Sequence, residues 1–377
     1  MVLMALDHVR DYFHAGAMSQ SPTDLTTTTA AVFLTRWITH FCAPVFLFLA
    51  GMGAFLWLGR GVRTKAQLSC FLVTRGVWLI VVEIVVMRIA FDFSLSPKFP
   101  VLLITLWALG GSMVLLAALI HLPLRVLAGV SASVILLQNL ADNVQASTFG
   151  GLAWLWNVLH QPGAFVASGI LVVVGYPLLP LAATMGAGYC AGHLLQMDTE
   201  VRRRSLLRLG AAMIVAFALL RGINIYGDPS RWVAQSSGVM SVLSFLNCTK
   251  YPASLDFLLM TLGPALLLLA WFDGVNISSF RPLLVFGQVP LFFFVVHFYW
   301  IHILFVIAAW IRYGAAPFLL LSPPSMGGPR ELFPADFGYE LWVVYVLWGF
   351  VTVTMYPICR WFADVKKRRR DWWLGYL

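Results

Sequence analysis

Long apolar runs separated by short polar breaks recur along the whole chain. Most come near the roughly 20 residues that an α-helix needs to cross the hydrocarbon core of a bilayer. Spans are predicted at about 37–59, 70–93, 100–121, 123–141, 165–195, 206–225, 254–272, 288–311 and 339–362, after an incomplete one at 1–13. The pattern predicts an all-α, polytopic integral membrane helix bundle of about ten transmembrane helices, the first N-terminally truncated. Residues 1–377 read as a single domain ending in a basic tail at 363–377.

Composition supports this reading. The chain is 60% hydrophobic and only 11% charged, against roughly 25% charged in a soluble domain. Its net charge of +9 sits in short loops between spans, so it reads as a topology determinant and excludes nucleic acid as the partner. Arg60, Arg63 and Lys65 follow one span, and Arg125 lies in the next basic turn. Arg202, Arg203, Arg204 and Arg208 form another basic group, then come Arg281 and the run Lys366 to Arg370. Every second loop is basic and 142–163 has no Lys or Arg, which places both termini on the cytoplasmic side. The outer face then carries 14–36, 94–99, 142–163, 226–253 and 312–338, and membrane lipid is the surrounding partner. The cysteines Cys42, Cys70, Cys190, Cys248 and Cys359 show neither a disulfide framework nor metal-type spacing, so no metal is expected.

Only Met1 to Leu6 precede Asp7, too few residues for a span and without the basic start of a signal peptide. The expectation is a first transmembrane helix whose upstream half is missing from this sequence. Asp7-His8-Val9-Arg10-Asp11-Tyr12-Phe13-His14 then places ionisable groups at membrane depth, where they are costly and mark a functional site by default. On a helix Asp7, Asp11 and His14 share one stripe, while His8 and Tyr12 share its neighbour. A histidine beside carboxylates suits general base catalysis, because the carboxylate fixes the tautomer and stabilises the imidazolium. The plainer reading is a polar helix end with Arg10 snorkelling to the headgroups.

His40 stands in Trp37-Ile38-Thr39-His40-Phe41-Cys42-Ala43-Pro44, one turn after Arg36, where Pro44 is expected to bend the helix. Small residues Ala50, Gly51, Gly53 and Ala54 follow and favour close helix packing. His297 and His302 lie in one apolar run and diverge by about 140°, so His297, the deeper one, is the stronger candidate. Glu83 reads as structural, and Arg88 and Asp92 as an i, i+4 pair. Arg221, Asn224, Lys250 and Tyr251 mark a further polar region. Lys250 on the outer face runs against the charge pattern and hints at ligand contact, or else it snorkels.

Several stretches resemble a known family. They are Met4-Ala5-Leu6-Asp7-His8-Val9-Arg10-Asp11-Tyr12, Thr35-Arg36-Trp37-Ile38-Thr39-His40-Phe41-Cys42-Ala43-Pro44 and Phe48-Leu49-Ala50-Gly51. Further matches are Tyr226-Gly227-Asp228-Pro229, Lys250-Tyr251-Pro252-Ala253-Ser254-Leu255, and Gly287-Gln288-Val289-Pro290 leading to His297. Together they are similar to the heparan-alpha-glucosaminide N-acetyltransferase catalytic-domain-like family of bacterial membrane proteins, part of the transmembrane acyltransferase group. In that family an acidic residue and an Arg-Gly pair precede the histidine on the first helix, a segment absent here.

The resemblance implies a multi-pass protein of the bacterial inner membrane. It would move an acyl group, acetyl above all, from cytoplasmic acetyl-CoA to a hydroxyl or amine of a periplasmic sugar. Acetyl-CoA would be a co-substrate, with a small-molecule or glycan acceptor as partner; a homodimer is left open. The catalytic candidates are His8, His14, Asp7, Asp11, His40 and His297. Spacing puts His8 where related acyltransferases carry a first-helix histidine. His14 approximates the catalytic position of the eukaryotic lysosomal relative, and the choice between them stays open. Arg60, Arg63, Lys65 and Arg75 would meet the donor phosphates, and Arg10, Arg36, Arg221, Asn224, Lys250 and Tyr251 the acceptor. The alternative is a transporter or flippase of a sugar-type or lipid-linked solute, weakened by the lack of an internal repeat. A non-catalytic scaffold comes third.

Overall fold

Lipid offers the backbone no hydrogen-bond partner, so a chain this apolar closes its own main-chain bonds as helices. The computed structural model describes residues 1–59, 64–275, 280–369 and 371–376. In chain order the helices begin with α1 (Val2–Phe13), α2 (Ala30–Thr39), α3 (Cys42–Gly59) and α4 (Lys65–Val81). A π-helical turn, Val82–Met87, leads to α5 (Arg88–Phe91), then strand β1 (Val101–Leu103), α6 (Thr105–Leu119), α7 (Leu124–Leu137) and α8 (Ala153–Leu159). A hairpin of β2 (Gly163–Ala167) and β3 (Ile170–Val174) precedes α9 (Leu178–Ala191), α10 (Thr199–Ile223), α11 (Gly238–Leu246) and α12 (Leu255–Phe272). The chain continues through α13 (Arg281–Gln288), α14 (Pro290–Tyr313) and α15 (Leu341–Arg368).

Eight segments among the described residues are long and apolar enough to cross a bilayer. They are Ala30–Gly59, Lys65–Phe91, Leu124–Ala141, Leu178–Gln196, Thr199–Ile223, Leu255–Phe272, Pro290–Tyr313 and Leu341–Arg368. The fold is an all-α polytopic membrane bundle, with α6 as a shorter apolar helix among the described residues. The largest boundary difference from expectation is that the span predicted from 165 starts at Leu178. The preceding apolar residues form the hairpin, with β3 parallel to β1 in a sheet of order β1-β3-β2. Ser168 (φ 49°) and Gly169 (φ 79°) make the two-residue turn in which both central residues take positive φ.

The chain divides into two compact units. The first comprises Met1–Cys42, Val85–Pro100 and Ile277–Leu377; the second comprises Ala43–Ile84 and Val101–Asn276. In the first unit α1 is buried nearly all round, with Ala5, Val9 and Tyr12 at 0% exposure, and it packs against α2, α14 and α15. Trp348 Nε1 donates to the Val2 carbonyl at 2.8 Å, and Tyr339 N donates to the Phe13 carbonyl at 2.7 Å. The bend expected near Pro44 falls at His40 and Phe41, between α2 and α3. Pro44 lies in the first turn of α3, where a missing N–H costs little. Arg88 does not pair with Asp92: it donates to the Phe99 carbonyl at 2.7 Å, while Asp92 accepts from Ser94 N at 2.8 Å.

In the second unit, glycines let helices meet backbone to backbone. A Cβ on Gly188 would strike the Phe48 carbonyl, and one on Gly51 the Met185 carbonyl, so α3 and α9 approach each other through both. Gly76 with Gly110, and Gly210 with Gly263, do the same for α4 with α6 and α10 with α12. Glu83 is structural as expected: its Oε2 accepts from the backbone N–H groups of Leu106 (2.5 Å) and Trp107 (3.1 Å), capping the start of α6. Gly188→Ala should lower the melting temperature in detergent well below that of Gly53→Ala, because nothing lies within 4 Å of a Cβ at Gly53. Equal melting temperatures for the two variants would contradict the close α3–α9 contact.

Candidate functional site

Helix α1 carries the polar cluster of the first unit, and its geometry follows from where the helix ends. Arg10 Nη2 donates to Asp7 Oδ1 at 3.0 Å and to Asp11 Oδ1 at 2.6 Å. Arg36, on α2, pairs through Nη1 with Asp7 Oδ2. Two carboxylates and two guanidiniums thus neutralise each other where an unpaired charge would be costly. Arg10 is 3% exposed, and the side chains of Asp7, Asp11 and Arg36 between 11% and 15%. Arg10 and Arg36, predicted as acceptor contacts, are therefore tied to carboxylates.

His8 lies on the neighbouring stripe, as the periodicity predicts. Its Nδ1 is 3.9 Å from Asp11 Oδ2, and its side chain is 15% exposed. Its ring meets Phe298 (centroids 4.1 Å) and His297 (5.3 Å), both on α14. His297 is fully buried. Its Nδ1 lies 2.8 Å from the Phe293 carbonyl, and a carbonyl only accepts, so Nδ1 carries the proton and Nε2 holds a lone pair. Nε2 has no hydrogen-bond partner among the described residues. One turn further along α1, Tyr12 packs on His302 (5.2 Å), whose Nδ1 lies 2.8 Å from the Ala90 carbonyl. Both histidines of α14 therefore face α1, contrary to the divergence expected from their five-residue spacing. The contact of His302 with Tyr12 is not visible in the sequence.

His14 leaves the stripe assigned to it. Helix α1 stops at Phe13, and His14 (φ −75°, ψ 130°) is extended and bridges in parallel to Tyr339. Its half-buried ring lies against Gly16, where a Cβ would come 2.8 Å from Cε1. Burial and then the Arg10 charge lower its pKa from the ordinary histidine value, with Glu340 opposing. His40 is 3% exposed at the α2–α3 break.

The remaining candidates belong to the second unit. Arg221 is 1% exposed and donates to four carbonyls: Phe245 (3.0 Å), Ser230 (2.7 Å), Ser244 (3.3 Å) and Asn247 (2.8 Å). Asn224 binds Trp232 through both its amide nitrogen and its oxygen. Asp228 accepts from Ser230 N, from Thr249 N and Oγ1, and from Ser254 Oγ. These residues clasp the 224–254 loop, so Arg221 and Asn224 do structural work there. Lys250 Nζ lies over the rings of Tyr251 (5.2 Å) and Tyr176 (5.8 Å), whose hydroxyls are 3.1 Å apart.

Lys65 is exposed at the start of α4, and Arg75 is ten residues further along the same helix, about 15 Å away, so one phosphate cannot take both. Arg60 and Arg63 lie outside the described residues. Among the described residues, no group of three metal-ligating side chains comes together.

Two predictions follow from the α1 cluster. Asp7→Ala removes the buried carboxylate that Arg36 shares with Arg10, leaving Arg10 its bond to Asp11, and should cost about 3–5 kcal/mol in thermal unfolding, with Arg36→Met much less than additive on top. Additive losses would mean the two do not interact. For His14, a lowered folded-state pKa means that the unfolded chain binds more protons between that value and 6.5. Stability should therefore fall as pH drops through this window, and less steeply in His14→Gln. Parallel curves would remove His14 from the acid response.

The model of one protein family, described as heparan-alpha-glucosaminide N-acetyltransferase, catalytic, matches residues 2–226. The matched region holds Asp7, His8, Arg10, Asp11, His14, Arg36 and His40, while His297 lies beyond it. No curated protein matches the chain. With more than half of its length matched, and the α1 cluster inside that stretch, the chain belongs to the heparan-alpha-glucosaminide N-acetyltransferase catalytic family.

Proposed function

We propose that this protein is a membrane acyltransferase that moves an acetyl group from cytoplasmic acetyl-CoA to a hydroxyl or amine of a sugar on the periplasmic side. The observation that carries the reading is His8: a partly exposed imidazole, 3.9 Å from the Asp11 carboxylate and backed by His297 and Phe298 in an apolar wall. The negative charge on the Nδ1 side, 3.9 Å away and beyond hydrogen-bond distance, favours the tautomer with Nδ1 protonated, which leaves Nε2 as the proton acceptor. The acceptor oxygen or nitrogen attacks the thioester carbonyl as Nε2 takes its proton. The new C–O or C–N bond forms, the C–S bond breaks, and the proton passes to the departing thiolate, giving free CoA thiol. Asp11 stabilises the imidazolium, Arg10 and Asp7 hold Asp11 in place, and His297 positions the His8 ring.

The alternating basic loops support an inner-membrane topology with both termini cytoplasmic. On that topology, exposed Lys65 at the start of α4 faces the donor's side and suits its phosphates, while Lys250 and Tyr251 belong to the acceptor's side.

In proteoliposomes with labelled acetyl-CoA on the face bearing the basic loops and glucosamine-type acceptors on the other, His8→Ala should reduce transfer by about 10²–10⁴-fold without lowering the melting temperature. His14→Ala should retain most of the activity. Full transfer by His8→Ala, together with loss in His14→Ala, would move the base to His14. Solute counterflow without thioester consumption would replace the acyltransferase reading with the transporter.

A further inference from the structure

A groove of about 440 Å³ lies between α13 and α15 in the first unit, and the α1 cluster contributes nothing to its lining. Its polar lining consists of Arg281 and Gln288 from α13, and Tyr356, Arg360, Asp364 and Lys367 from α15. Three cations thus face a single carboxylate. Asp364 Oδ1 lies 3.8 Å from Lys367 Nζ, which uses that carboxylate. Among the described residues, neither Arg281 nor Arg360 has an ion pair or a side-chain hydrogen bond. Elsewhere in the chain, arginines such as Arg10, Arg202 and Arg221 spend their donors on carboxylates or carbonyls. Two guanidiniums with unspent donors, converging on one cavity, match the planar, bidentate recognition of a phosphate group.

We infer that this groove binds the phosphate ester of an anionic ligand, and its surroundings point to a phospholipid headgroup as the source. Leu283 (53% exposed), Leu284, Ile358 and Trp361 (62% exposed) present apolar surface on the same two helices. A tryptophan at this level, with a basic run (Lys366 to Arg369) beginning five residues on, is the pattern of a helix end at the headgroup layer. Basic pockets between transmembrane helices on the positive side of the bilayer take anionic headgroups, while acyl chains lie along the neighbouring apolar surface. The packing that shapes the groove is independent of its charges: Phe292 stacks on Phe362 (4.2 Å) and Phe286 meets Tyr356 (6.1 Å). This inference does not depend on the acyl-transfer reading.

The test is native mass spectrometry of the purified full chain, released from nanodiscs of phosphatidylcholine with a minor fraction of phosphatidylglycerol, beside titration of the detergent-solubilised protein with ADP. Wild type should retain phosphatidylglycerol over phosphatidylcholine. Arg281→Gln/Arg360→Gln should lose that preference by about tenfold or more at unchanged melting temperature, as expected for two lost charge-assisted contacts. Asp364→Asn, which removes the one opposing charge, should strengthen retention, so the inference stays testable even if the double variant folds poorly. ADP binding that the double variant abolishes, without any lipid preference, would keep the phosphate site and make its source soluble. No headgroup preference and no ADP binding in wild type, or a preference unmoved by all three substitutions, would overturn it.

Discussion

A buried carboxylate shared by two arginines holds the first unit in register. Asp7 takes Arg10 from its own helix and Arg36 from α2, and Arg10 in turn reaches Asp11. Each of these charges alone would be expensive in an environment of lipid tails and apolar side chains; together they form a closed, neutral set. The closure fixes the rotation of α1 about its axis. With Asp7 and Asp11 committed on one stripe, His8 and Tyr12 must face α14, where the structure finds them against His297, Phe298 and His302. Ion pairing here sets where an imidazole points, which is a different service from adding net stability.

Three of the histidines around α1 differ in what their surroundings leave them able to do. His297 gives its Nδ1 proton to a main-chain carbonyl and sits in the dry interior, so it is locked in one tautomer out of reach of solvent. His14 lies beyond the helix end, half-buried and biased towards the neutral form. His8 alone combines partial exposure with a carboxylate near Nδ1 and an apolar wall behind its ring. The fold thus ranks chemically identical side chains by access and by partner, and neither is written in a local sequence window.

Much of the architecture was legible because helix and bilayer impose lengths that apolar runs must meet. The stripe carrying His8 and Tyr12 was legible for the same reason, as helical periodicity relates residues four apart. The errors lie where periodicity stops. The apolar run from 165 to 195 hid a strand pair, since a short run of apolar residues does not by itself separate strand from helix; Ser168-Gly169 ahead of Val172-Val173-Val174 was the signal. His14 was placed by extending a helix that ends one residue earlier. Arg88 and Asp92 have the right spacing to pair, yet main-chain carbonyls and N–H groups of the following loop outcompete that pairing. These are long-range or loop contacts, and sequence spacing does not determine them.

Counting what each cation spends separates structure from recognition. Arg221 is expected from the sequence to contact the acceptor; in the structure its donors close the 224–254 loop onto α10. Arg10 and Arg36 are likewise committed to carboxylates. A guanidinium with its hydrogens already spent cannot bind an incoming anion without surrendering a bond that the fold requires. Recognition of phosphate or carboxylate groups therefore falls to cations whose donors remain available, and among these Arg281 and Arg360 share a cavity. Hydrogen-bond geometry distinguishes the two roles where position in the sequence does not.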